Sequence, residues 1–142
     1  MNVITVAAAV ILNTDNQLLL VRKKNTEAFM QVGGKLEPNE LPEATMLRET
    51  EEEIGTTSRI QSFIGRFETA TANEPDHRLV AYLYHVVLDH DPRIHAEIAE
   101  MRWVDLDQQL DDRLLNLAPL TTEIVMPWVK TYLASAAATQ TA

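Results

Sequence analysis

Cysteine is absent from this chain. That excludes disulfides, thiol nucleophiles and zinc–thiolate sites, and leaves the redox compartment open. Glycine is scarce, with four in 142 residues, so each one marks a backbone position that needs an account. Positive charge is in deficit. Lys and Arg number 12 against 21 Asp and Glu, a formal net charge of −9, which argues against nucleic acid held on a basic surface. A phosphorylated small molecule stays admissible, because a cation can bridge acids to phosphates. Long apolar runs are missing too. The longest, Val3–Leu12, is too short to span a bilayer and lacks the basic start of a signal peptide, although Ala7, Ala8 and Ala9 loosely mimic a cleavage site. The expectation is no membrane partner and a cytoplasmic location.

What remains is a globular composition, 46% apolar and 23% charged, at a length that suits one cored domain and not two. The expected division is a single domain over residues 1–134 and a disordered tail over residues 135–142, where small and polar residues dominate.

Val3–Leu12 reads as a strand buried on both faces. Asn13–Asn16 supplies turn chemistry, and Gln17–Arg22 returns as the second arm of a hairpin. Arg22, Lys23 and Lys24 form the one dense basic run, either a solvated strand end or a phosphate clamp. Phe29–Val32 predicts a short strand. Arg59–Ala70 predicts another, with Gly65 as a bulge, and Arg78–Leu88 a central strand with Tyr82 and Tyr84 opposite His85. Met101–Val104 predicts a last short strand, Asp105–Leu110 a short helix, and Pro119–Ala134 an amphipathic helix kinked near Pro127. The four histidines have no metal-ligand spacing to one another and are read as structural.

The segment from Gly33 to Thr56 organises the rest. It opens on two glycines, continues through a helix predicted from Pro42 to Ile54, and stops at Gly55. At 100° per residue, Glu49, Glu52 and Glu53 share one face, while Ala44, Leu47, Thr50 and Ile54 fall on a nearly opposite arc. Three like charges repel on a helix. A hard divalent cation reverses the sign of that interaction. The bland alternative is a solvated acidic face.

The spacing decides between them. Gly34, Glu40, Arg48, Glu49, Glu52, Glu53 and Gly55 occupy all seven fixed positions of a pattern that resembles the Nudix box of the Nudix hydrolase family. The odds of a chance match are on the order of one in a million for a chain this size. Thr50 and Thr56 stand where the family prefers aliphatic residues, and Val32 where many members carry proline. The resemblance covers roughly Val3 to Tyr132. It implies a Nudix-like α/β/α sandwich with a mixed β-sheet and a loop–helix–loop catalytic motif.

It also implies a metal-dependent hydrolase, using Mg²⁺ or Mn²⁺, that cleaves the pyrophosphate bond of a nucleoside diphosphate derivative. Glu49 and Glu53 are then the principal metal ligands, Glu52 a ligand or the general base, with the roles of Glu52 and Glu53 as catalytic residues left interchangeable, and the Gly33 carbonyl a further ligand. Arg48 and Glu40 orient the carboxylates. Glu97, six residues before Trp103, is a candidate for an additional carboxylate from outside the box, with Glu100 its competitor. Arg22, Lys24, Gly34 and Lys35 are candidate substrate-binding positions. Thr71–Glu74 lacks the residues that mark the ADP-ribose and diadenosine polyphosphate subgroups. That leans the expectation to nucleoside triphosphates, with damaged nucleotides as a candidate class. The partner is a small nucleotide, on a monomer or homodimer. Two rivals are a catalytically silent Nudix-like nucleotide-binding or sensor module, and an acidic interaction domain with no metal site.

Overall fold

The computed structural model describes residues 2–106 and 115–141, with side chains to Ala137. Its strands are β1 (Asn2–Ile11), β2 (Leu18–Lys23), β3 (Phe29–Met30), β4 (Val32–Lys35), β5 (Ser58–Ala70), β6 (His77–Leu88) and β7 (Ile98–Val104). Helix α1 covers Pro42–Ile54 and α2 covers Met126–Thr141. Most of the short helix expected over Asp105–Leu110 lies outside the described residues.

The strands divide between two sheets. One is mixed, in the order β4-β1-β6-β5, with β1 parallel to β6 and the other pairs antiparallel. The other is antiparallel, in the order β3-β2-β7. The expected β1–β2 hairpin therefore splays. Past its turn the two arms share only the Leu12–Leu18 bridge, and each then pairs in its own sheet. The expected Phe29–Val32 strand divides as well. It breaks at Gln31, the single residue between β3 and β4, where the chain crosses from one sheet to the other.

Alternation along the strands builds two cores. Ala8, Val10, Leu18, Leu20, Ala81 and Leu83 pack with Val125, Met126 and Val129 beneath the C-terminal helix. Ala7, Ala9, Ile11, Leu19, Val21, Tyr84 and Val86 pack with Met46 and Ile54 of α1. β1 is thus covered on both faces, as its unbroken apolar run predicts, and helices lie on either side. His85 packs edge-on against Trp128 and Tyr132, with ring centroids 5.3 and 4.8 Å away. Burial lowers its pKa.

Helix winding near Pro127 is wider than expected. Proline has no N–H for the bond four residues back. The turn before it, Thr121–Val125, is π-wound, and the Met126 N–H donates to the Thr121 carbonyl. The helix also continues past Ser135 to Thr141. Alanines in this stretch favour helix.

Helix α1 has its expected bounds. Pro42 occupies the first turn, and Gly55 ends the helix at φ 70° with its N–H on the Glu51 carbonyl. Thr50 closes its hydroxyl onto the Met46 carbonyl at 2.7 Å, so it stays satisfied in the core. A Cβ on Gly55 would sit 2.5 Å from His95 Nε2, in addition to the left-handed strain. Gly55→Ala is expected to destabilise the fold by about 1–3 kcal/mol, measured by urea unfolding.

Candidate active site

The helix face is not laid out as its arc predicts. Glu53 lies on the buried side with Thr45, Met46, Thr50 and Ile54, and is only 4% exposed. Its position seven residues after Met46 returns it to the inner face after two turns. The reason it can turn inward is β4. Gly33 and Gly34 present bare backbone to the helix, and the Gly33 N–H donates to Glu53 Oε1 at 3.0 Å. Lys23 Nζ lies 3.8 Å from the other oxygen, Oε2.

Burial pushes the Glu53 carboxyl up to about 7, against the pull of the Gly33 N–H and Lys23, while the charges of Glu49 and Glu97 push it further. Glu97 therefore stands within electrostatic reach of Glu53, from the turn just before β7. Glu100, its competitor, is held elsewhere. It pairs with Arg22 at 2.8 Å and with Arg102 at 3.4 Å.

Glu49 occupies the second glycine's vacancy. A Cβ on Gly34 would lie 2.4 Å from Glu49 Cδ. Gly33 is tight on the opposite side, where a Cβ would lie 2.4 Å from the Ala7 carbonyl oxygen of β1. The two glycines thus do different work. Gly33 lets β4 lie on β1, and Gly34 lets a carboxylate lie on β4.

Arg48 organises the outer half of the cluster. Its Nε and Nη2 grip the two oxygens of Glu40, both at 2.9 Å, a bidentate pair. Its Nη1 reaches Glu49 Oε1 at 2.8 Å and Glu52 Oε2 at 3.5 Å. Glu40 also accepts the Thr45 hydroxyl at 2.6 Å and the Glu37 N–H at 3.1 Å. The Arg48, Thr45 and Glu37 donors together hold its carboxyl down at about 2. Glu52 is half exposed at the helix surface.

Beside Gly33 and Gly34 a cleft of about 290 Å³ opens between the sheets. Ile4, Val6, Met30, Leu79 and Leu120 line it, with Lys23 and Lys35 among its cations. Lys35 lies 3.6 Å from Glu74 across its mouth.

The NUDIX domain profile matches residues 1–126. The chain belongs to the Nudix hydrolase family. The Nudix fold is shared with the MutT protein of Methanosarcina mazei Go1 at a TM-score of 0.73 and 21% identity, over 92% of this chain and 95% of that one. A UDP-X diphosphatase superposes at a TM-score of 0.72 and 22% identity, over 92% of this chain and 64% of its own. A Bacillus subtilis protein provisionally named an 8-oxo-dGTP diphosphatase is 30% identical over 71 residues, which is 50% of this chain and 48% of that protein. The chain thus spans about half the length of the curated relative it matches.

Within this Nudix site, the structure brings Gly33, Gly34, Glu49, Glu53 and Arg48 together, with Glu97 and Lys35 nearby. Arg22 is not drawn in. Its guanidinium is taken by Glu100 and by the Thr26 carbonyl at 2.8 Å. Lys24 is exposed and contributes its backbone N–H to the Glu97 carbonyl at 2.7 Å. Lys23, their neighbour, is the residue that lines the cleft and approaches Glu53. Strand alternation carries the signal for this, since Lys23 must face away from Arg22 and Lys24.

Among the described residues no three acids or histidines already stand in ligand array. Arg48 draws Glu49 and Glu52 to itself, and Glu53 rests on the Gly33 N–H. The donor set nonetheless suits a hard divalent ion. It offers oxygen donors, carboxylates and the Gly33 carbonyl, and one of the carboxylates is buried where its own charge is poorly tolerated and a cation would relieve it.

Proposed function

We propose that this chain is a divalent-metal-dependent pyrophosphohydrolase of nucleoside diphosphate derivatives, with nucleoside triphosphates as the favoured class and damaged nucleotides within it. The observation that carries this reading is the convergence of Glu49 and buried Glu53 on the Gly33–Gly34 backbone, at the edge of a cleft that also holds Lys23 and Lys35.

Glu49, Glu53 and the Gly33 carbonyl would hold Mg²⁺ or Mn²⁺, with Glu97 as a further carboxylate. Bound there, the ion offsets the charge of the pyrophosphate and favours ionisation of water at neutral pH. The remaining work belongs to side chains. Glu52, open to solvent, supplies another ligand or takes the proton of the attacking water. Arg48, anchored on Glu40, fixes the rotamers of Glu49 and Glu52. Lys23 and Lys35 pair with phosphate oxygens. The apolar cleft takes the rest of the nucleotide and keeps water from it. For a triphosphate, water adds to one phosphorus as the anhydride oxygen leaves, giving a nucleoside monophosphate and pyrophosphate.

The test is a panel of nucleoside triphosphates and nucleoside diphosphate sugars with Mg²⁺, with products resolved by ³¹P NMR. Monophosphate plus pyrophosphate from the triphosphates is expected. Release of orthophosphate alone, or turnover of nothing in the panel, would overturn the reading.

A further inference from the structure

A buried carboxylate needs a counter-cation, and Glu53 is buried. Arg48, the cation of the box, does not serve it. Its ion pairs run to Glu37, Glu40, Glu49 and Glu52. Among the described residues the one cation paired with Glu53 is Lys23, whose Nζ lies 3.8 Å from Oε2. That distance is beyond hydrogen-bond reach, so charge alone holds the ammonium there. The backbone of Lys23 is fixed. Its carbonyl accepts the Thr26 N–H at 3.2 Å and the Thr26 hydroxyl at 2.8 Å. Any change of partner therefore falls to the flexible four-carbon stem. Lys23 also lines the cleft, with its side chain partly exposed. The other charged groups lining that cleft, Lys35 and Glu74, pair with each other at 3.6 Å. Lys23 thus stands between two claimants, a carboxylate of the box and any anion in the cleft.

We propose that Lys23 exchanges partners: it neutralises Glu53 while that acid has no other cation, and turns to the phosphates of the nucleotide when a divalent ion is held there. The inference rests on the metal and nucleotide reading above and adds how the two ligands of that site communicate. Two cations on one carboxylate repel, so the ammonium gains nothing by staying beside a divalent charge. In the cleft the same ammonium meets phosphate oxygens, to which charge-assisted hydrogen bonds are strong. By linkage, ion and nucleotide then strengthen each other's binding through this one side chain.

The experiment measures what Lys23→Met costs in affinity for the α,β-methylene analogues of ATP and GTP, by titration calorimetry at pH 8. With excess Mg²⁺ the loss should be about tenfold or more. In EDTA it should be about twofold or less, because Glu53 then holds Lys23 in the wild type. Each loss compares two proteins in one buffer, so chelation of Mg²⁺ by the analogue cancels. Glu53→Gln carries no charge to hold Lys23. Adding Lys23→Met to it should therefore cost about tenfold in EDTA as well. Equal losses from Lys23→Met in Mg²⁺ and in EDTA would overturn the exchange, whatever the enzyme hydrolyses. If neither analogue binds wild type in Mg²⁺, the nucleotide reading fails separately. In that case, or if binding in EDTA is too weak to measure, Mn²⁺ alone decides on Lys23. Lys23→Met, with no ammonium to displace, should bind Mn²⁺ about tenfold more tightly than wild type by electron paramagnetic resonance. Equal or weaker Mn²⁺ binding would overturn the proposal.

Discussion

Glu53→Gln is expected to lower kcat by about 10²–10⁴-fold and, in the metal-free protein at pH 8, to raise the melting temperature by several degrees. The two effects share one cause. Glu53 is buried against Gly33, and burial lifts its carboxyl from 4.5 to about 7 in the folded state. Below the unfolded value the group is protonated in both states and carries no penalty. As pH rises towards 7 the unfolded chain ionises first, so stability is lost across that window and stays lost above it. The deficit amounts to about 3 kcal/mol, from the shift in protonation free energy. Glutamine keeps the oxygen that accepts the Gly33 N–H and escapes the charge. Thermal melts at pH 5 and pH 8 should therefore show the variant gaining over wild type at the higher pH, with the gap narrowing at the lower. A variant that loses activity together with stability at pH 8 would mean that Glu53 is a structural acid.

Gly33→Ala and Gly34→Ala should part company. At Gly33 the new methyl meets the Ala7 carbonyl oxygen at 2.4 Å and Ala8 Cα at 2.7 Å, both in the backbone of β1. Neither can yield without opening the β4–β1 pairing, so overpacking should cost about 1–3 kcal/mol or more. At Gly34 the methyl meets the end of the Glu49 side chain, which can swing aside. The fold should survive, while displacing that carboxylate by about 1 Å should cost about 10²-fold in kcat. Urea unfolding and steady-state kinetics on both variants check the split. Equal losses of stability in the two would mean that the paired glycines do not divide their work between strand pairing and carboxylate seating.

The box was legible because its signals are local. Pro42 and Gly55 punctuate a helix whatever surrounds them, and the acid spacing is fixed by helical pitch. β1 was legible for a similar reason, since an apolar run without alternation leaves no polar face. Other features depend on partners far along the chain. Glu53 turns inward because Gly33 leaves an N–H free beneath it, and the helical arc alone placed it outside. The break between β3 and β4 turns on one residue, Gln31, within a short apolar stretch that read as continuous. Gln31 itself gave no motif or period, and the hydroxyl its Oε1 accepts, Thr121, arrives from 90 residues away. The choice of Lys23 over Arg22 and Lys24 was open to strand alternation, but Glu100, which claims Arg22, comes from β7.

Titration of Mn²⁺ into the wild-type and Glu53→Gln proteins at pH 8, with free ion counted by electron paramagnetic resonance, tests the central claim most directly. A saturable site in wild type, weakened at least about tenfold by Glu53→Gln, is the predicted result. Equal affinity in the two proteins, or no saturable site in either, would contradict a cation held by the inward-facing glutamate.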